Sequence, residues 1–396
     1  MPSPSSSETI STQQASARKR LTRDWLTAAA VAVVVMAGMT RFLLLYWAPD
    51  TVGRWAVISG LAVFYELRIF KQTLPLMRRP GQQVLSPGVG VGVIVTLLSG
   101  LGYALLAGFL LVTFPEGGLA WLPAILATLA LIGDALAGPV VSRRKPETVG
   151  GGHLAREFRA LGALTLTALA IHYGRLDPWF LLIGVMPYFQ LFTISWLGRK
   201  GKPLHRSPQR LQHFLNGLYL MAVSVALWPI VSGSFAVLPG LLFGLPYFLV
   251  ALRDWFILTG LLDPEQSHYR QLGAAVNRAL TGWLALSIRL LATMAAAAIA
   301  ADVVFHFDDY AAGFSSPLGP GAVALMLLAA LPFLLLGVRA RLFALLAFVA
   351  LSILLLVMGW SQIIFIALLL LGLTIILGQG KIAVEPEDSA PPPNER

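Results

Sequence analysis

The sequence contains no cysteine among its 396 residues. The chain therefore cannot form disulfide bonds, cysteine-ligated zinc sites or iron–sulfur clusters, and it has no thiol nucleophile. Charged residues are also scarce, at 12% of the chain, where an ordinary soluble domain has about 25%. Hydrophobic residues make up 57%, which is more than a water-soluble core needs. This composition favours lipid as the solvent of the chain.

Apolar stretches long enough to cross a bilayer recur from Trp25 onward. A helix rises about 1.5 Å per residue, so roughly 20 apolar residues span the hydrocarbon layer. The stretches do not alternate apolar and polar residues, as the strands of a membrane β-barrel do. They predict an all-α, polytopic integral membrane helical bundle of about 12 transmembrane helices. The predicted spans are 25–47, 52–67, 88–113, 119–141, 158–174, 178–197, 211–231, 235–261, 273–301, 319–337, 342–358 and 360–378.

Basic residues are concentrated in the loops that the order of the spans places on one side of the membrane. Most of the 29 Lys and Arg residues fall in these loops, whereas only Arg54 and Arg175 fall in the opposite ones. The positive-inside rule makes the basic side cytoplasmic. We therefore predict an integral membrane protein with both termini in the cytoplasm, and take the prokaryotic plasma membrane as its default location. Topology and anionic lipids explain the net charge of +10 better than nucleic-acid binding does.

The composition also changes along the chain and suggests its organisation. Residues 1–23 and 381–396 are predicted to be disordered tails, because their polar or proline-rich sequences can neither pack nor insert. Residues 24–84 hold two N-terminal spans, residues 85–262 a six-span core, and residues 263–380 a C-terminal module of four spans.

Small residues recur every four positions on the third predicted span, at Gly100, Ala104 and Gly108. Such a stripe lets another helix approach closely, and it also permits a homodimer. The six histidines are scattered, with no pair spaced for a zinc site on one helix face. Arg41 and Arg289 lie inside predicted spans, where a charge indicates either a function or pairing within the bundle.

Short motifs follow one another in a fixed order between residues 85 and 262. They are Ser86-Pro87, Thr96-Leu97-Leu98-Ser99-Gly100, Trp121-Leu122-Pro123, Asp134-Ala135-Leu136-Ala137-Gly138, Gly150-Gly151-Gly152, Gly174-Arg175-Leu176 and Leu252-Arg253-Asp254-Trp255. In the order and residue composition of these motifs, the segment resembles the CDP-alcohol phosphatidyltransferases, a family of integral membrane enzymes of phospholipid biosynthesis. The resemblance implies a six-helix core with a site that opens to the cytoplasm.

The signature of that family reads D-x-x-D-G-x-x-A-R, eight residues, then G-x-x-x-D-x-x-x-D. Its four carboxylates hold divalent cations that neutralise the diphosphate of a CDP-linked donor, and the last Asp can take the proton of the attacking alcohol. The first Asp and the two Gly positions are matched by Asp134, Gly138 and Gly151. The other three acidic positions hold Ala137, Ala155 and Arg159. The resemblance therefore implies a degraded catalytic site, with Asp134 as its candidate metal ligand for Mg²⁺ or Mn²⁺.

Basic residues surround the motif and suggest another use for the site. With three acids gone and the arginines present, a metal-dependent anion site becomes a directly cationic one. Phosphate could then bind without metal, helped by backbone N–H groups at a helix start. We predict a phospholipid or CDP-lipid headgroup as the ligand. The predicted binding residues are Asp134, Gly138, Arg143, Arg144, Gly151, Arg156 and Arg159.

The same residues allow three other interpretations. The basic residues could serve topology alone. An active, divergent phosphotransferase could use Glu147 or Glu157 as further oxygen ligands for Mg²⁺ or Mn²⁺. The number of spans and the C-terminal module would also suit a transporter or flippase-like protein, although no convincing repeat relates the two halves.

Overall fold

The structure, a computed structural model, describes residues 6–79, 81, 84–144, 148–200, 210–229, 231, 233–263, 266–267, 271, 282–314, 318–359 and 361–377. All regular elements in these ranges are helical, apart from one isolated bridge between Arg78 and Leu85. The chain divides into two compact units, Met1–Gly260 and Leu261–Arg396. The all-α prediction is confirmed for the described residues.

The first unit is built around two central helices. Its helices are α1 (Ser6–Leu43), α2 (Pro49–Thr73), α3 (Val91–Ala107), α4 (Trp121–Arg144), α5 (Val149–His172), α6 (Leu181–Arg199), α7 (Arg210–Ala226) and α8 (Gly233–Leu258). Short 3-10 turns connect several of them. The central helices are α3, which packs against α2, α4 and α5, and α5, which also packs against α6 and α7. α7 in turn packs against α8.

The second unit is a smaller group of apolar helices. Its helices are α9 (Trp283–Phe305), α10 (Phe307–Phe314), α11 (Leu318–Leu336), α12 (Ala340–Met358) and α13 (Gln362–Leu377). α9 packs against α11 and α13, and α12 packs against both of its neighbours in sequence. The short α10 follows α9 and precedes α11 in the chain.

Eight helical segments in the described ranges are long and apolar enough to cross a membrane. The chain is therefore an integral membrane protein. The segments are Gln14–Leu43, Val91–Leu111, Gly117–Ala137, Pro178–Arg199, Ala236–Leu258, Leu284–Phe305, Leu318–Leu336 and Ala340–Met358.

Four further predicted spans do not reach this standard. Charged residues interrupt α2 and α5, for example Glu66 and Arg68 in the first and Arg156 and Glu157 in the second. The apolar parts of α7 and α13, Leu211–Ala226 and Gln362–Leu377, are shorter than a full span. The total of about 12 spans and the orientation of the termini stay predictions.

The small-residue stripe of α3 forms a packing surface, as predicted. A Cβ atom at Gly100 would collide with the ring of Phe158, and one at Gly108 would collide with Trp55 and Ser59. Trp55 Nε1 and Ser59 Oγ each donate to the Leu105 carbonyl oxygen at 3.2 Å. The missing side chains therefore let α2 and α5 lie directly on α3.

α1 begins at Ser6, within the segment 1–23 that the sequence predicts to be a disordered tail. Leu21 is buried in an apolar cluster with Phe70 and Phe158. Asp24 Oδ2 then accepts from the Val89 backbone N–H at 3.1 Å. The polar composition of this segment did not predict the burial of Leu21. The predicted tail 381–396 lies outside the described residues.

Candidate functional site

Asp134 on α4 and Arg159 on α5 form a two-point ion pair. Arg159 Nε donates to Asp134 Oδ2 and Arg159 Nη2 donates to Oδ1, each at 3.0 Å. The side chains are mostly buried, with exposed fractions of 18% for Asp134 and 25% for Arg159. A forked pair of this kind fixes the orientation of both groups. The positions that the resemblance aligns with the first and last Asp of the signature are thus in direct contact.

The ion pair determines what Asp134 can bind. Both of its oxygens accept hydrogen bonds from the Arg159 guanidinium. Glu157 is engaged elsewhere, since its Oε2 accepts from Tyr65 OH at 3.2 Å. Among the described residues, no group of three or more His, Asp or Glu side chains could hold a metal ion. These donors do not fit Mg²⁺ or Mn²⁺, and Glu147 lies outside the described residues.

A small cavity of about 60 Å³ lies beside the ion pair, among α5, α6, α7 and α8. Its lining combines two arginines, three amides, a histidine and a tyrosine with an apolar wall. The polar lining residues are Arg156, Arg159, Gln190, Gln212, His213, Asn216 and Tyr247, and the apolar ones include Pro187, Leu191 and Ile194. The cavity therefore offers both hydrogen-bonding groups and hydrocarbon to a ligand.

Amide side chains connect the helices around the cavity. Gln212 Nε2 donates to Gln190 Oε1 at 2.7 Å, and Gln190 Nε2 donates to the Ala251 carbonyl oxygen at 2.8 Å. These bonds link α7 to α6 and α6 to α8. On the α5 side, Arg159 Nη1 lies 3.4 Å from His213 Nδ1. The arginine thus joins the ion pair to the cavity lining.

Arg156 is the second cation at this cavity. Its Nε donates to the Gly152 carbonyl oxygen at 3.2 Å, one turn earlier on α5. Within the part of the chain that the structure describes, Arg156 forms no ion pair. Since Asp134 offsets the charge of Arg159, Arg156 gives the cavity a net positive charge.

Of the other predicted binding residues, Gly151 is described in full and does not line the cavity. Gly151 lies in the first turn of α5, where its N–H donates to Thr148 Oγ1 at 3.1 Å. A Cβ atom there would lie 3.0 Å from Val93 Cγ2, so Gly151 serves the close packing of α5 on α3. The remaining three lie in the last turns of α4, where the structure describes the backbone and not the side chains: Gly138, Arg143 and Arg144.

Sequence reasoning missed the amide side of the cavity. Gln190 and the α7 residues Gln212, His213 and Asn216 were treated as parts of apolar spans. A signal was present, because the three α7 residues are polar and share one stretch of a predicted span. Polar side chains inside a membrane segment usually face the protein interior or a cavity.

Comparisons of the chain with protein-family models, with curated proteins and with solved structures found no match. The relation to the CDP-alcohol phosphatidyltransferases therefore rests on the succession of motifs in the sequence. It stays a prediction.

Proposed function

We propose that this membrane protein binds the phosphate-bearing headgroup of a phospholipid or CDP-linked lipid in the cavity beside the Asp134–Arg159 pair. The observation that carries the proposal is Arg156, which lines the cavity and forms no ion pair in the described part of the chain. A phosphate oxygen accepts strong hydrogen bonds from a guanidinium. In this proposal Arg156 is the cation that contacts the ligand. Arg159, paired with Asp134, forms the adjacent part of the cavity lining.

A lipid suits this cavity better than a free anion does. Pro187, Leu191 and Ile194 on α6 form an apolar wall beside the cationic one. An acyl chain can lie along such a wall while the phosphate contacts Arg156. The start of α5, the end of α6 and the start of α7 all contribute, and the sequence predicts that these helix ends are cytoplasmic. The proposed ligand is therefore a lipid of the inner leaflet.

The resemblance to the CDP-alcohol phosphatidyltransferases supports this place for the ligand. The signature implies that its first and last acids share one site, and the corresponding Asp134 and Arg159 are in contact. Replacing the last acid with arginine exchanges a metal ligand for a cation. We propose a relative of these enzymes that keeps the headgroup site and has lost the metal-dependent transfer.

The alternative of an active, divergent enzyme has less support. Family chemistry needs divalent cations to neutralise the diphosphate of the donor. Asp134 is paired with Arg159, and Glu157 accepts from Tyr65. Among the described residues, no group of three or more His, Asp or Glu side chains could hold a metal ion. We therefore expect no Mg²⁺- or Mn²⁺-dependent release of CMP from CDP-diacylglycerol.

The test measures binding of labelled CDP-diacylglycerol and phosphatidylglycerol to the purified full chain in phosphatidylcholine nanodiscs. Arg156→Gln should weaken binding of both about tenfold, as expected for a lost charge-assisted hydrogen bond. Arg199→Gln is the matched control, because Arg199 ends α6 and does not line the cavity. It should leave the affinity unchanged.

Two results would contradict the proposal. One is equal affinity for wild type and Arg156→Gln. The other is metal-dependent CMP release, which would restore the enzyme interpretation. EDTA should have no effect on the binding.

A further inference from the structure

Asn216 on α7 brings a buried hydrogen-bond acceptor to the cavity lining. It lines the cavity with only 4% of its surface exposed, and its Oδ1 is buried without a hydrogen-bond donor among the described residues. The neighbouring amides donate elsewhere, Gln212 to Gln190 and Gln190 to Ala251. A buried acceptor without a donor is unfavourable, so a ligand that brings a donor gains from this position.

A ligand that satisfies this cavity therefore has two groups: an anionic oxygen that accepts from Arg156 and a hydrogen-bond donor for Asn216. We infer that the bound headgroup is a small polyol phosphodiester, such as the glycerol headgroup of phosphatidylglycerol, whose hydroxyl donates to Asn216 Oδ1. This inference rests on the proposed function and names its ligand class.

An ammonium group could also donate to Asn216, but it fits the charges less well. Arg156 and Arg159 both line the cavity, so an ammonium would lie close to two guanidinium groups with one carboxylate to offset them. Like charges at such separations repel. A choline headgroup offers no N–H or O–H donor at all. The hydroxyl is the donor that adds no positive charge.

Size favours a glycerol headgroup over a nucleotide. The cavity holds about 60 Å³, and Tyr247 and the amides Gln190 and Gln212 close part of its boundary. A glycerol headgroup is smaller than a cytidine group and needs less of this space. A glycerol unit places a hydroxyl within a few bonds of the phosphate. One compact headgroup can therefore form hydrogen bonds with both Arg156 and Asn216.

The experiment compares phosphatidylglycerol with phosphatidyl-n-propanol, which has the same charge and a similar size but no free hydroxyl. Both are offered to the full chain in phosphatidylcholine nanodiscs. Wild type should bind phosphatidylglycerol about tenfold more tightly, because the analogue leaves the Asn216 acceptor unsatisfied. Asn216→Leu should reduce this preference to less than about twofold while keeping the affinity for the analogue.

Equal affinity of wild type for the two lipids would overturn the inference, even if the Asn216→Leu variant fails to fold. Soluble glycerophosphoglycerol should compete poorly, because it lacks acyl chains for the apolar wall. Competition as strong as that of the lipid would overturn the assignment to a membrane ligand.

The inference and the proposed function fail in different ways. If neither anionic lipid binds, or if Arg156→Gln weakens neither, the proposed function is wrong. If both bind equally and both weaken in Arg156→Gln, the headgroup site stands and the hydroxyl requirement is wrong.

Discussion

The two compact units differ in what they bury. In the first unit the described helices bury carboxyl and amide groups beside apolar ones, including Glu66, Gln212, Asn216 and Asp254. In the described part of the second unit, the buried polar residues are Arg289, Thr293 and Thr374. Burying polar groups is costly unless they are paired or serve a ligand. The contrast supports the proposal that the ligand site lies in the first unit.

The largest expected effect on stability comes from breaking the central ion pair. Asp134→Ala should destabilise the first unit by about 3 kcal/mol, because it leaves Arg159 mostly buried without its carboxylate. The matched change in the second unit is Asp302→Ala. Asp302 is 52% exposed and pairs with His306 at 3.0 Å, so its loss should cost less than about 1 kcal/mol.

Thermal unfolding of the purified variants in detergent measures this difference. Equal losses for the two aspartates would contradict the contrast between the units. The double variant Asp134→Arg, Arg159→Asp should regain part of the stability, since it restores the pair in reverse.

The second prediction concerns close helix packing. Gly162→Ala should cost about 2 kcal/mol, because the new Cβ would lie 2.6 Å from Tyr103 Cζ. Gly321→Ala in α11 is the control, since its nearest neighbour is Phe307 Cε2 at 4.0 Å. The control should leave stability unchanged or raise it by up to about 1 kcal/mol. A smaller loss at Gly162 than at Gly321 would refute the packing of α5 on α3.

A smaller effect is expected at Tyr65. Tyr65→Phe removes the hydroxyl that donates to Glu157 Oε2 at 3.2 Å and should cost about 1 kcal/mol. Tyr46→Phe is the control, because Tyr46 is exposed. If the two variants unfold alike, the bond between α2 and α5 does not hold Glu157. That carboxylate would then be available for another ligand.

The smallest effect is expected from divalent metal. Adding Mg²⁺ or Mn²⁺ to the purified protein should leave its unfolding temperature unchanged, because a ligand stabilises a fold only where it binds. Ca²⁺ serves as the control for nonspecific ionic effects. A rise in Tm with Mg²⁺ or Mn²⁺ that disappears in Asp134→Asn would show a metal site in the first unit.

Part of this architecture could be read from the sequence. Long apolar runs predicted a helical membrane protein, and the spacing of Gly100, Ala104 and Gly108 predicted a close-packed face on α3. The motif order indicated Asp134 and Arg159 as partners of one site, although the prediction treated Arg159 as an anion-binding group. Its carboxylate partner is 25 positions away on another helix. Local sequence carries no information on such a contact.

The cavity itself could not be read from the sequence. Gln190, Gln212 and Asn216 come from two helices, and only Gln212 and Asn216 belong to a common polar stretch, which also holds His213. Their meeting depends on how α6 and α7 pack against α5 and α8. The same is true of α1, where Leu21 is buried against Phe70 of α2 and Phe158 of α5. Patterns along the chain predict elements, whereas sites between elements depend on packing.

The most direct test of the account is an experimental structure of the full chain in nanodiscs that contain phosphatidylglycerol. We predict a headgroup phosphate within hydrogen-bonding distance of Arg156, with Asp134 still paired to Arg159 and no metal between them. A metal ion bound to Asp134, or a cavity without a lipid phosphate while lipids are ordered elsewhere on the protein, would contradict it.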